Sequence, residues 1–176
     1  RDGIDVVSSA EARWGAQINI PYLLKKARFV PLIDLPYHFV GYCWNIIYRL
    51  FSKKQHLAIW GPKTNDMDSL LAKHSLDEVC ALQWQRCVEH STASFKEMEN
   101  SKFLKLNYET FVSQPMQELN KVLSFLELDF DVQQKRTALA VVKSDSIGKG
   151  RTKLSGEKFK RIKRLIYRTL SQNGYE

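Results

Sequence analysis

The sequence has little cysteine and no long apolar run, and each absence excludes a class of protein. Its three cysteines are Cys43, Cys80 and Cys87. They cannot all pair within the chain, and none has CxxC or Cys/His spacing, so we expect neither a disulfide framework nor a zinc site. Proline and charged residues interrupt the most apolar stretch, residues 29–51, and no run of about 20 apolar residues remains to span a membrane.

The composition is typical of one globular domain with a basic surface. At 176 residues and 44% hydrophobic, the chain is long enough for one sizeable core, so we expect a single domain over residues 1–176. The formal net charge is +8, and nine Lys or Arg residues against one acid lie between Lys149 and Arg168. Such a run attracts phosphates, although a solvated helix face has the same composition.

Capping patterns predict two helices in the first hundred residues. A turn at Asp2-Gly3 comes first, and Asp5 is then expected to cap a helix that continues through Trp14. Ser75 and the Glu three residues later form a capping box, which predicts a long helix that reaches about Met98.

The remainder is predicted to be a strand followed by two helices. Apolar and polar residues alternate over Phe103–Tyr108, as in a short strand. Pro115 is typical of the first turn of a helix. A last helix should begin after Ser155 and end near Gly174, with its cations on the face opposite the buried stripe. The residues expected in that stripe are Phe159, Ile162, Ile166 and Leu170.

A stretch with no clear pattern precedes an aromatic segment. We expect a loop or insertion over 15–36 and an aromatic helix from about Pro36 to Phe51. Its aromatic side chains belong either to the domain core or to a peripheral contact with a membrane surface. The aromatic residues concerned are Tyr37, Phe39, Tyr42, Trp44 and Tyr48.

Three blocks of sequence carry phosphate-binding chemistry. The chain opens with Arg-Asp-Gly-x-Asp-Val-x-x-Ser over residues 1–9, and Leu-x-Tyr-Glu follows at 106–109. The third block, 146–155, combines glycine with basic residues. The order and spacing of these blocks resemble the sulfotransferase family that uses 3'-phosphoadenosine 5'-phosphosulfate (PAPS), and together they extend over nearly the whole chain.

The resemblance implies an α/β fold and a group-transfer reaction. The implied fold has three layers, a parallel sheet and a P-loop-like first turn, and this chain would supply a helix-rich C-terminal two-thirds of it. In this family a lysine-bearing loop and a His or Glu base lie before the first block. Because the chain begins at Arg1, we expect both to precede it, and we expect the fragment alone to be inactive. No catalytic residue is therefore assigned.

The resemblance assigns the first two blocks to the nucleotide. Arg1 and Ser9 match the residues that hold its 3'-phosphate, for which a guanidinium fork and a hydroxyl are suitable donors. Arg13 matches a further such arginine of some protein-tyrosine sulfotransferases, although a surface cation near a helix end is the alternative. Tyr108 matches a tyrosine near the adenine, and the alternative is an ordinary core residue.

The third block is similar to the family's C-terminal phosphate-binding loop, which assigns Ser146, Gly148, Lys149 and Arg151 to the nucleotide site. Gly148 would let the backbone approach a phosphate, and the two cations would reach its oxygens. Many relatives have an aromatic residue where Gly150 stands, so this chain departs from their pattern. A plain basic loop is the alternative.

The predicted partners follow from the same resemblance. We expect PAPS as co-substrate, no metal, and an acceptor hydroxyl or amine on a carbohydrate, tyrosine or lipid, with a large acceptor favoured. Two alternatives remain: a scaffold that has lost activity, and a basic helical module that binds nucleic acid or anionic membrane through 149–168. The sequence has no RNA-binding or zinc-finger motif, so nucleic acid is not expected. The lack of an Asn-x-Ser/Thr acceptor favours a cytoplasmic location, and the Golgi lumen is the alternative if a membrane anchor lies upstream.

Overall fold

The computed structural model describes residues 1–14, 61–62 and 64–175, with a few isolated positions between 29 and 47. The helices with described bounds are α1 (Gly3–Trp14), α2 (Met67–Lys73), α3 (Leu76–Lys96), α4 (Tyr108–Ser113), α5 (Pro115–Phe125), α6 (Val132–Leu139), α7 (Lys149–Lys153), α8 (Gly156–Leu165) and α9 (Tyr167–Gln172), with a 3-10 turn at Asn100–Lys102. The loop predicted over 15–36 and the aromatic helix predicted after it lie largely outside the described residues.

The expected α/β fold with a parallel sheet is wrong for the part of the chain that the structure describes, because that part contains helices and no strand. The predicted strand Phe103–Tyr108 has extended backbone at Phe103 and Asn107, but no neighbouring strand pairs with it there. Instead, the Asn107 side chain accepts a hydrogen bond from the N–H of Thr110 and caps α4. Tyr108 is therefore the first residue of a helix rather than the last residue of a strand.

Most of the helix predictions are confirmed. Ser75 caps α3, and its backbone N–H donates to the carboxylate of Glu78 at 3.1 Å, as a capping box requires. Pro115 is the first residue of α5. Ser155 caps α8 by accepting from the N–H of Lys158, but the last helix is interrupted at Ile166, so that α8 and α9 form two segments.

The core lies where α1, α3 and α8 meet. Trp14, Ile162 and Ile166 have no exposed side-chain surface, and Gly3 brings α1 directly onto the ring of Trp84 in α3. The remaining members of this cluster are Ile4, Val7, Ala10, Cys80, Ala81, Leu154 and Leu170. Burial raises the pKa of Cys80 to about 12, so its thiol stays neutral and packs as a small apolar group.

Candidate functional site

The N-terminus of α1 is fixed by its own acidic residue. The carboxylate of Asp2 accepts from the N–H of Ile4 at 2.9 Å, so Asp2 is the residue that caps this helix, and the prediction that Asp5 caps it is wrong. The Asp2 N–H in turn donates to Glu109 at 2.8 Å. These bonds place Arg1 at the start of α4, with its guanidinium carbon 4.7 Å from the centre of the Tyr108 ring, a cation–π distance.

Tyr108 connects the first block to the third. Its hydroxyl lies 2.7 Å from the hydroxyl of Ser146, while its ring faces Arg1. Arg1, Tyr108 and Ser146 therefore form one continuous set of contacts, although long stretches of sequence separate them. Of the eight predicted site residues, the structure brings these three into direct contact.

Glu109 and Tyr175 form hydrogen bonds that hold the residues next to Arg1 and Tyr108. The Tyr175 hydroxyl donates to Glu109 at 2.8 Å, and the side chain of Asn107 donates to the Tyr175 oxygen at 3.0 Å. Partial burial would raise the pKa of Glu109, but the bonds from Asp2 N–H and Tyr175 outweigh it and lower that pKa. Burial and the adjacent Glu109 carboxylate raise the pKa of Tyr175. Glu109 is therefore an ionised acceptor, and Tyr175 a neutral donor, at neutral pH.

The loop of the third block is held on α1 by Asp5. Gly148 has a left-handed backbone, with φ of 73°, and precedes α7, a conformation that glycine adopts without strain. Its N–H donates to one carboxylate oxygen of Asp5 at 2.8 Å, and the N–H of Gly150 donates to the other at 2.6 Å. Asp5 is almost fully buried, with 3% of its surface exposed.

Gly150 is required by the packing of α7 on α1. A Cβ atom at this position would lie 2.7 Å from the Cα of Asp5 and closer still to the carbonyl oxygen of Ile4. Backbone atoms cannot rotate away from such a contact, so any larger side chain would force the helices apart. An aromatic residue at this position would not fit between α7 and α1.

The cations of the loop are exposed and have acidic neighbours. The guanidinium of Arg151 is 3.6 Å from the carboxylate of Asp2, and the ammonium of Lys149 is 3.3 Å from Asp145. About half of each cationic side chain is exposed. Asp145 is itself exposed, so its pair with Lys149 is weak, whereas the carboxylate that faces Arg151 is buried. The exposed surface of both cations remains accessible to an anionic ligand.

Ser9 and Arg13 lie further along α1, one and two turns beyond Asp5. Both are exposed, and in the described part of the chain no hydrogen bond or ion pair joins them to the other predicted site residues. They share a helix face with Asp5 by their spacing of four residues. Their assignment to the nucleotide stays a prediction.

Four residues of this region had no assigned role in ligand binding from the sequence. Asp2 and Asp5 belong to the first block, and Glu109 follows Tyr108, so the sequence places all three within the predicted motifs. It does not indicate which groups they form hydrogen bonds with. Tyr175 gave no local signal, because its hydrogen bonds join residues that are 66 and 68 positions away.

Two further clefts carry charged groups. One, of about 630 Å³, contains the ion pair between Asp66 and Arg86, whose closest atoms are 2.6 Å apart; the hydrogen bond from Arg86 lowers the pKa of Asp66. The other, of about 430 Å³, lies along α8 and α9 and contains Lys163 and Arg164. Within the described ranges, no three His, Cys, Asp or Glu side chains are grouped as metal ligands would be.

Comparison with known families identifies the class of protein. The profile described as the sulfotransferase family matches residues 45–132, which is half of the chain, and the chain therefore belongs to the sulfotransferase family. The matched part includes Tyr108 and Glu109, whereas the first and third blocks lie outside it. No curated protein and no solved structure matches the chain. Of the helices formed by described residues, none has the length and apolarity that crossing a membrane demands.

Proposed function

We propose that this sulfotransferase uses PAPS as its sulfuryl donor and that the contacts around Arg1 form the part of the site that holds the nucleotide. The observation that carries the proposal is the continuous set of contacts from Arg1 through Tyr108 to Ser146. It unites one residue from each of the three blocks on which the family resemblance rests.

The charges of this region fit an anionic nucleotide. Arg1 lines a cleft of about 270 Å³ that also contains Lys105, and the loop adds Lys149 and Arg151. A terminal phosphate carries about −1.5 to −2 charges at neutral pH and binds best to guanidinium and ammonium donors. The Tyr108 ring is only partly buried, and an aromatic face of this kind is suited to stack on a base.

The reaction we propose is in-line sulfuryl transfer. An oxygen or nitrogen atom of the acceptor forms a bond to sulfur as the bond between sulfur and the phosphate oxygen of the donor breaks, and adenosine 3',5'-bisphosphate leaves. The acceptor gives up one proton. In this reaction the residues of the proposed site position the donor and balance its charge. No residue of this chain is assigned to proton transfer.

The proposal is tested by titrating adenosine 3',5'-bisphosphate into the chain in a calorimeter. We expect saturable binding and an increase in Tm, because a ligand that binds only the folded state stabilises it. Arg151→Ala should weaken binding by roughly 10-fold to 100-fold, the effect of losing one charge-assisted phosphate contact.

Arg164→Ala is the matched control, because it removes the same exposed side chain from the basic cleft of α8. It should leave the affinity almost unchanged. Absence of binding at millimolar nucleotide would refute the proposal. Equal losses in the two variants would instead support the alternative function, diffuse binding of polyanions along residues 149–168.

A further inference from the structure

Asp5 is a buried acid whose carboxylate binds the backbone of the loop in the third block. Each of its carboxylate oxygens accepts one backbone N–H, from Gly148 and from Gly150. Only 3% of its surface is exposed, so water does not compete effectively for these bonds. Hydrogen bonds to a buried ionised group are among the strongest in proteins, and their geometry is narrowly defined.

From this geometry we infer that Asp5 is a positioning residue for the nucleotide site, and this inference rests on the proposed function. Its carboxylate occupies the concave turn of backbone N–H groups at the loop, in the place where a ligand phosphate would otherwise bind. The phosphate contacts of the loop then come from the side chains of Lys149 and Arg151. The backbone of Gly148 and Gly150, held by Asp5, fixes the orientation of these two side chains.

Three further contacts support this division of roles. The Cα of Asp5 and the carbonyl of Ile4 leave no room for a Cβ at Gly150, so α7 lies as close to α1 as backbone packing allows. The Ser146 hydroxyl is held by Tyr108 at one end of the loop, and Arg151 is near Asp2 at the other. The loop is therefore fixed at both ends and in the middle, and a fixed loop loses little conformational entropy when it binds a ligand.

Asp5→Asn gives a test in which positioning and charge predict opposite results. The substitution keeps the size of the side chain and removes one negative charge close to the proposed phosphate. If charge alone mattered, adenosine 3',5'-bisphosphate would bind more tightly. If Asp5 positions the loop, the NH2 group of Asn cannot accept the hydrogen bond that one carboxylate oxygen accepted, so one of the two backbone N–H groups loses its partner. The loop then shifts, and the Kd should rise by about tenfold.

The matched control is Asp145→Asn, because it removes the same charge from the exposed partner of Lys149. Its Kd should stay within about twofold of that of the natural chain or fall. The double variant Asp5→Asn, Arg151→Ala should bind no more than about threefold more weakly than Arg151→Ala alone. Asp5→Asn acts mainly by weakening the contact between Arg151 and the phosphate, and that contact is already absent in Arg151→Ala. Unchanged or tighter binding by Asp5→Asn would overturn the inference.

Amide hydrogen exchange of the natural chain gives a second measurement that does not depend on any variant folding. The N–H groups of Gly148 and Gly150 should be protected without nucleotide, and their protection should change little when adenosine 3',5'-bisphosphate is added. Rapid exchange without nucleotide, followed by protection upon binding, would show that the phosphate itself occupies these donors. If the natural chain does not bind the nucleotide, the proposed function fails, while exchange at the two glycines still decides whether Asp5 holds the loop.

Discussion

Replacing Gly150 with alanine should destabilise the protein by about 3 kcal/mol. The new Cβ would lie 2.7 Å from the Cα of Asp5, whereas ordinary contact begins at 3.4 Å, so α7 has to move away from α1 by at least about 0.7 Å. Overpacking of this kind costs about 1–3 kcal/mol. The same movement lengthens the 2.6 Å hydrogen bond from Gly150 to Asp5 to about 3.3 Å, beyond the usual range, which weakens a bond to a charged group worth about 1.5–3 kcal/mol.

The assay is urea unfolding, and Gly156→Ala is the matched control. At a slope of about 2 kcal/mol per molar urea, a loss of 3 kcal/mol lowers the unfolding midpoint by about 1.5 M. Gly156 starts α8 with nothing within 4 Å of an added Cβ, so its replacement should be neutral or stabilise by up to about 1 kcal/mol. If Gly150→Ala unfolds at the same urea concentration as Gly156→Ala, the close packing of α7 on α1 is refuted.

Two other variants test individual bonds. Tyr108→Phe keeps the ring against Arg1 but removes the bond to Ser146, so it should lower the free energy of unfolding by about 1 kcal/mol; an unchanged urea midpoint would contradict this. Burial would raise the pKa of Asp77, but hydrogen bonds, including one from Arg161, outweigh it and lower that pKa. Because the folded-state pKa is below the unfolded value of about 3.9, this stabilisation is present above that pH and is lost as the pH falls through the folded pKa. Asp77→Asn should therefore cost about 1–2 kcal/mol at pH 7 and progressively less below about pH 4, and a cost that does not vary with pH would refute the assignment.

The starts of three helices were predicted correctly because the signals that set them are local. The capping box at Ser75, the first-turn proline at Pro115 and the cap at Ser155 each involve side-chain and backbone groups within one turn of each other. Alternation over Phe103–Tyr108 is a weaker signal, because a strand exists only if a second strand pairs with it. The extended backbone was foreseen, but the pairing was not found among the described residues.

The cap of α1 shows how tertiary structure overrides a local pattern. Both Asp2 and Asp5 precede apolar helical residues, and either could cap a helix by sequence. The structure uses Asp2, since the first turn begins at Gly3, and leaves the carboxylate of Asp5 for donors 143 and 145 positions away. No short-range pattern carries that information.

Two acids of the first block, Asp2 and Asp5, lie close to the basic loop and change how it can bind anions. The net charge of +8 suggests a surface open to any polyanion, yet at the loop the protein sets Asp2 beside Arg151 and Asp5 beneath Gly148. Both carboxylates reduce the affinity of the region for anions in general, because they cancel positive charge close to where a phosphate would bind. They also fix the direction of the remaining donors, which favours a ligand whose phosphate matches that geometry. This arrangement supports the proposal that the nucleotide binds at the loop and not along the more basic face of α8, because fixed donors discriminate between ligands better than a diffuse run of cations does.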